Sequence, residues 1–309
     1  MKLEHVLESQ QFTLPMLTEL FDRATQMERI LKRGGTQDYN NKIMASLFYE
    51  PSTRTRFSFE SAMHRLGGKV ISTERAAEFS SVSLGETLED TIRVVDDYAD
   101  VIVLRHNEIG GAGRATGVSM VPIINAGEGK GGGQHPTQAL LDLYTIHNEV
   151  NKLDGLKIAM VGNLADGRTV RSLSYLLGKF DRVKIYFVAP PSLQMKQDML
   201  NYLSEQEVWF SPETDLKKIL PEVDVVYVTR IEREKYEGDD NAYESLTRRY
   251  YFDKQTMNLL PQHAIVMHPF PRSSEISDDV DTDRRAAYFR QAKNGVVIRM
   301  ALLAWVLER

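Results

Sequence analysis

The chain has 309 residues, 42% of them apolar and none of them cysteine. That length gives a prior of two domains of roughly 100–200 residues, each able to bury a real core, and the missing cysteines exclude structural disulfides, thiolate catalysis and cysteine-ligated zinc. With 38 basic and 43 acidic side chains the net charge is −5, so nucleic-acid binding by global charge is excluded and any basic site must be local. There is no run of about 18 apolar residues for a membrane span, and the charged opening Met1-Lys2-Leu3-Glu4 does not look like a secretory signal. A cytoplasmic protein without membrane or nucleic-acid partners is the expectation.

In chain order, Thr13 caps a helix with Leu14, Leu17, Leu20 and Phe21 at helical spacing before Gly34-Gly35. The apolar run 43–49 predicts a strand buried on both faces. A helix over 54–66, a strand over 69–72, a helix over 86–98, strands over 101–104 and 121–125 and a long helix over 136–149 follow. The polar stretch 151–155 places an interdomain hinge, and a second series begins: strands over 156–161, 183–188, 223–228 and 264–267, helices over 168–180 and 193–203. The charged segment 230–250 reads as a mobile surface loop, and the last helix is expected over 286–307. This alternation predicts an α/β chain of two doubly wound parallel-sheet domains with the active site in the cleft between them. The first domain is expected over 1–135, joined by the C-terminal helix 286–309, and the second over 150–285.

Chemistry-bearing residues fall at the ends of these strands. Pro51-Ser52-Thr53-Arg54-Thr55-Arg56 follows a strand and opens a helix, where orphan N–H groups, the helix dipole, hydroxyls and guanidinium groups make a phosphate cradle. Arg105, followed by His106, ends the next strand and can clamp an anion, although a lone arginine there is more often a surface residue. His135 precedes Pro136 at a helix start and can polarise a carbonyl, with Gln138 one turn in to bind an amide. In the second half, Gly167-Arg168-Thr169 and Thr229-Arg230 put two arginines at two strand ends, suited to two carboxylates. His268-Pro269-Phe270-Pro271-Arg272 makes a rigid turn whose carbonyls can accept an amine. No glycine-rich nucleotide fingerprint and no metal-ligand spacing is present.

Taken in order, Ser-Thr-Arg-Thr-Arg, Arg105-His106, His-Pro-Thr-Gln, Gly-Arg-Thr, Thr-Arg and His-Pro-x-Pro-Arg resemble the aspartate carbamoyltransferase catalytic-chain family, from about residue 42 to the C-terminus. The ornithine branch typically carries a His-Cys-Leu-Pro signature, which a cysteine-free chain lacks. The resemblance implies transfer of the carbamoyl group from carbamoyl phosphate to the amine of L-aspartate, in pyrimidine biosynthesis, without metal or organic cofactor. It also implies a homotrimer with shared active sites, and leaves regulatory chains open. By the same resemblance Ser52, Thr53, Arg54 and Thr55 hold the phosphate. Arg105, His135 and Thr55 face the carbamoyl oxygen, and Gln138 the carbamoyl nitrogen. Arg168 and Arg230 take the aspartate carboxylates, and the Phe270 carbonyl orients the amine. Glu50 supports the arginines, and Ser80 arrives on a loop from the neighbouring subunit.

Four positions depart from the family pattern. Leu84 stands before Gly85-Glu86-Thr87 where a lysine is usual, Glu232 replaces a glutamine, and Asn163 replaces an aspartate. The glycine-rich approach to His135 is longer than usual, which makes Lys130 and Arg75 candidates for the missing cation. Two rival readings accompany these departures: a carbamoyltransferase for another amino acid, and a catalytically impaired ligand- or partner-binding paralogue.

Overall fold

Ile43–Phe48 forms β1, buried along almost its whole length because its side chains are apolar on both faces. In the computed structural model, which describes residues 2–74, 85–129, 132–233 and 239–308, β1 pairs in parallel with β2 (Lys69–Glu74) on one side and β3 (Val101–His106) on the other. With β4 (Ile123–Glu128) outside β3, the order is β2-β1-β3-β4. The chain therefore reverses its direction of sheet growth at β1/β3. In open α/β sheets that is where the carboxyl ends of the strands leave a crevice. Phe48 is in register with Arg105, so Glu50 and the start of the helix Thr53–Arg65 lie beside Arg105. The amino-terminal segment covers the β4 edge through Val6, whose N–H and C=O bond Ile123 and Asn125 at 2.9 and 2.7 Å.

The second sheet repeats this logic with five parallel strands. β5 (Lys157–Val161) is central, β6 (Lys184–Val188) and β7 (Trp209–Glu213) lie to one side, and β8 (Val225–Val228) and β9 (Ile265–Met267) to the other. Its switch point falls between β5 and β8. β8 is wholly buried, and Val226 and Val228 join Val161, Val188 and Val266 in one apolar cluster. Burying each such side chain contributes about 1.5–3 kcal/mol. Contacts divide the chain into one unit of Met1–Leu141 with Lys293–Arg309 and a second of Asp142–Ala292.

Several elements differ from the sequence-based expectation. Within 230–250, expected as loop, Asp239 caps a helix over Asp240–Thr247 by accepting from the Ala242 N–H at 2.7 Å, and Tyr243 ties it down by donating to the Ile231 carbonyl at 2.7 Å. Tyr250 is buried there, which an all-solvent loop would not allow. β7 is an additional strand: Trp209, Pro212 and Glu213 hide its period because it is a half-exposed edge. The helix Gly111–Thr116 also goes unforeseen, since two of its six residues are glycine. The last helix begins at Tyr288, and β4 runs on to Glu128.

Candidate active site

In the first unit the site is built on the carboxyl ends of β1, β3 and β4. Ser52 precedes the helix in a non-helical conformation and makes no side-chain cap bond. The first backbone bond of that helix runs from Arg56 N–H to the Ser52 carbonyl at 3.0 Å, so the amides of Thr53 and Thr55 lie ahead of it at the positive end of the dipole. Thr55 is buried, whereas Thr53 and Arg54 are exposed. Desolvation pulls the Arg54 guanidinium below its ordinary pKa, which still leaves it a cation at neutral pH. Arg56, the other guanidinium of the run, is committed to structure: it reaches Glu74 at 3.1 Å and the Ser72 hydroxyl at 3.3 Å, and it stacks on Phe57.

Arg105 is a buried cation, only 7% exposed. Its Nη1 donates to the Ala126 carbonyl at 3.2 Å and its Nη2 meets Glu50 Oε2 at 3.3 Å. Gly127, with φ +112°, makes room for it. A Cβ there would lie 2.7 Å from Arg105 Nη1 and 3.2 Å from the His135 ring, so the guanidinium and the imidazole converge over this one glycine. His135 is buried, and its carbonyl accepts from the N–H groups of Gln138 and Ala139 at 3.0 and 3.1 Å, which places Gln138 on the first turn of the helix Pro136–Val150. Gln134 moors this turn by accepting from the Ser9 N–H at 2.9 Å. A buried guanidinium, an imidazole and a helix start together suit a phosphorylated carbonyl compound, holding its anionic end and polarising its oxygen.

In the second unit the predicted residues sit at the ends of β5, β8 and β9. Arg168 opens the helix Arg168–Leu177 and is half-buried. Gly162 brings two strand ends into contact: a Cβ there would lie 2.1 Å from the Thr229 carbonyl oxygen. The Thr229 hydroxyl donates to the Val161 carbonyl at 2.9 Å, which fixes the base of Arg230. Arg230 itself meets Glu232 at 2.8 Å, both side chains being 40% exposed. Phe270 has φ +54° and precedes a cis Pro271, its N–H donating to His268 Nδ1 at 2.8 Å. His268 is buried, with Nε2 2.8 Å from Glu275. Burial pushes the Glu275 carboxyl up, but His268 and the Ser273 N–H outweigh it and hold that carboxyl below the usual range.

Asn163 is buried and accepts weakly from the Asp166 N–H at 3.4 Å. Ser80, Leu84, Arg75 and Lys130 lie outside the described residues. Among the described residues no group of three histidines or carboxylates is arranged to hold a metal ion, and no helix is long and apolar enough to cross a membrane. Sequence reasoning passed over Gly127, Asp142, Tyr227, Gln291 and Glu275. For Asp142 a signal was there: a lone acid inside Leu140-Leu141-Asp142-Leu143-Tyr144, on a buried helix face.

Comparison with known proteins gives one consistent result. Residues 4–148 match the aspartate/ornithine carbamoyltransferase carbamoyl-P binding domain, and residues 154–306 match the Asp/Orn binding domain of the same family. A chloroplastic aspartate carbamoyltransferase of Oryza sativa subsp. japonica is 52% identical, covering 99% of this chain and 86% of that protein. The catalytic subunit of M. jannaschii aspartate transcarbamoylase is similar in structure, with a TM-score of 0.93 at 44% identity over 99% of this chain and 98% of that one. An aspartate transcarbamoylase from Trypanosoma cruzi, solved with carbamoyl phosphate and aspartate, gives a TM-score of 0.90 at 39% identity, covering 99% and 95%.

Proposed function

Since the chain belongs to the aspartate/ornithine carbamoyltransferase family, we propose that it transfers the carbamoyl group of carbamoyl phosphate to the amine of L-aspartate, giving N-carbamoyl-L-aspartate and phosphate. The observation that carries this reading is the convergence of Arg105 and His135 over Gly127, beside the helix start at Ser52. Ser52, Thr53, Arg54 and Thr55 hold the phosphate. Arg105, His135 and Thr55 face the carbamoyl oxygen, where negative charge develops as the tetrahedral centre forms. Gln138 binds the carbamoyl nitrogen. Arg168 and Arg230 hold the two aspartate carboxylates, and the Phe270 carbonyl accepts from the attacking amine.

The amine nitrogen forms a bond to the carbamoyl carbon, the carbon–oxygen bond to phosphate breaks, and the departing phosphate takes the proton the amine loses. A neutral nucleophile and an anionic leaving group need orientation and fixed donors rather than a covalent intermediate. Glu50 keeps Arg105 aimed. No cofactor is needed for this chemistry.

A homotrimer in which Ser80 enters a neighbouring site accompanies this reading. The exposed apolar residues Phe57 and Ile71, both on elements at the β2 edge, support an interface there. A cytoplasmic location is supported by the cysteine-free composition, although the rice relative is named chloroplastic. Carbamoyl transfer over a panel of amino acids, with calorimetric binding of carbamoyl phosphate alongside, tests the reading. Turnover with aspartate above all other amines is expected. Binding without turnover would leave a ligand-binding paralogue, and a different preferred amine would move the acceptor. Sedimentation of a fully active monomer would remove the trimer.

A further inference from the structure

The acceptor-side residues of the second unit hang on one buried carboxylate. Asp142, fully buried, receives the Tyr227 hydroxyl on Oδ2 and Gln291 Nε2 on Oδ1, each at 2.7 Å. A carboxylate offers acceptors only, so both neighbours must donate to it. Tyr227 therefore directs its proton to Asp142. Burial, with the charge of Asp142 beside it, raises this phenol well above its ordinary pKa, so the proton stays in place. Tyr227 lies on β8 two residues before Thr229, whose hydroxyl fixes the base of Arg230. On the other side Gln291, having donated through its nitrogen, presents its oxygen to the His268 N–H at 2.8 Å. His268 Nδ1 then accepts from the Phe270 N–H at 2.8 Å, which leaves the ring proton on Nε2, facing Glu275.

We propose that Asp142 is a positioning residue for the acceptor. It is the acceptor-only group between Tyr227 and Gln291: it turns the Gln291 amide so that its oxygen meets the His268 N–H, and thereby holds the turn that carries the Phe270 carbonyl. This rests on the aspartate-carbamoylating reading above. A role in packing alone would be served by a leucine, since Leu140, Leu141 and Leu143 surround Asp142 in sequence and are themselves buried. A buried carboxylate is retained where its polarity is used.

The test is steady-state kinetics on the full chain, varying each substrate separately, with thermal unfolding followed in parallel. Asp142→Asn keeps the shape but adds two donors, so the chain can no longer be satisfied in both directions. It is expected to raise the aspartate KM about tenfold while the carbamoyl phosphate KM stays within about twofold, a loss of about 1.4 kcal/mol confined to the acceptor. Adding Gln291→Glu restores the polarity: the new amide donates to the new carboxylate, whose other oxygen accepts from the His268 N–H, and the Asn oxygen still accepts from Tyr227. That double variant is expected to return the aspartate KM to within about threefold of wild type. A folded Asp142→Asn chain with an unchanged aspartate KM overturns the proposal, as do equal rises in both KM values or a folded double variant without recovery. If Asp142→Asn does not fold, Tyr227→Phe carries the test, because it removes only the hydroxyl that meets Asp142; an unchanged aspartate KM there is equally fatal. A wild-type chain that carbamoylates no aspartate overturns the functional reading before any variant is compared, and the proposal falls with it.

Discussion

The two units build their proposed anion sites in physically different ways. In the first, the cradle combines backbone amides at a helix start with one buried guanidinium that an internal carboxylate, Glu50, aims. In the second, arginines are already engaged by acids of the same unit: Arg230 by Glu232, Arg171 by Asp198, Arg272 by Asp278 and Asp281, and Arg285 by Asp283. Three of these arginines shape the scaffold, but Arg230 is a predicted substrate ligand. If the proposed assignment holds, a phosphate meets its cradle as it stands, whereas an aspartate carboxylate arrives at a guanidinium paired with Glu232. On the proposed assignment the first half of the site is preorganised, and Arg230 must exchange an internal anion for an external one.

The sharpest way to break the first half is Arg105→Ala. The variant loses a buried donor aimed at developing charge, so kcat is expected to fall about 100- to 1,000-fold, equivalent to roughly 3–4 kcal/mol. Arg54→Ala is expected to cost a similar factor with little change in thermal unfolding, because Arg54 is exposed and opens the helix. Activity within about threefold of wild type in either would show that the cradle does not act in the rate-limiting step.

A matched pair of glycine changes separates the two units. Gly127→Ala places a methyl 2.7 Å from Arg105 Nη1, and Gly162→Ala places one 2.1 Å from the Thr229 carbonyl oxygen. Both residues have strongly positive φ, where an L side chain is strained by about 1–2 kcal/mol before any clash. The first change displaces a flexible guanidinium tip and is expected to act through carbamoyl phosphate, with kcat/KM down about tenfold to a hundredfold. The second pushes on backbone and is expected to lower stability by more, about 2–4 kcal/mol, with the surviving activity showing a raised aspartate KM. Equal effects on both substrates from each variant would erase the distinction between the halves.

How much of this the sequence disclosed also divides between the units. The cradle is legible because it is local: Ser52 to Thr55 are consecutive, and Arg105 ends an unbroken apolar strand. Strand alternation likewise exposes both sheets, since fully buried parallel strands write themselves as apolar runs. The Asp142 network is illegible because its partners stand 85 and 149 residues away and are joined only by folding. The edge strand Trp209–Glu213 and the capped helix Asp240–Thr247 were missed for a related reason: half-exposed elements carry weak periodicity. Gly127 could have been suspected from Asn125-Ala126-Gly127 at a strand end, but what it makes room for is a fact of packing.

The acid side sharpens the comparison through stability. Guanidinium hydrogen bonds hold Asp198, Asp281 and Asp283 below the ordinary carboxylate range, and the Thr256 backbone N–H does so for Asp253. Asp224 and Glu275 are depressed too, because Lys152 and His268 respectively outweigh the opposing effect of burial. All six lie in the second unit; Glu89 is the one depressed carboxylate resolved among the described residues of the first. A depressed folded pKa contributes stability that is present above the unfolded value, near 4, and is lost as pH falls through the folded one. The second unit is therefore expected to lose structure first, below about pH 4. The two tryptophans report the units separately, Trp209 in the second and Trp305, buried, in the first. Single-tryptophan variants made with Trp209→Phe and Trp305→Phe should show the Trp209 emission change at the higher pH. Coincident transitions would mean that the units unfold as one.

The smallest expected effect bears most directly on the exchange of anions at Arg230. Glu232→Gln removes the competing carboxylate while keeping a side chain of the same length. Both partners are 40% exposed, and ion pairs with that much solvent contribute only about 0–1 kcal/mol. The aspartate KM is therefore expected to fall about two- to fivefold, with kcat and the carbamoyl phosphate KM unchanged, since the pair is broken before chemistry begins. The advantage should shrink in high salt, where the Debye length falls from about 10 Å at 0.1 M to about 3 Å at 1 M, comparable with the 2.8 Å separation of this exposed pair. A rise in the aspartate KM would invert the interpretation: Glu232 would then hold Arg230 in the productive orientation, as Glu50 holds Arg105, and the second unit would be as preorganised as the first.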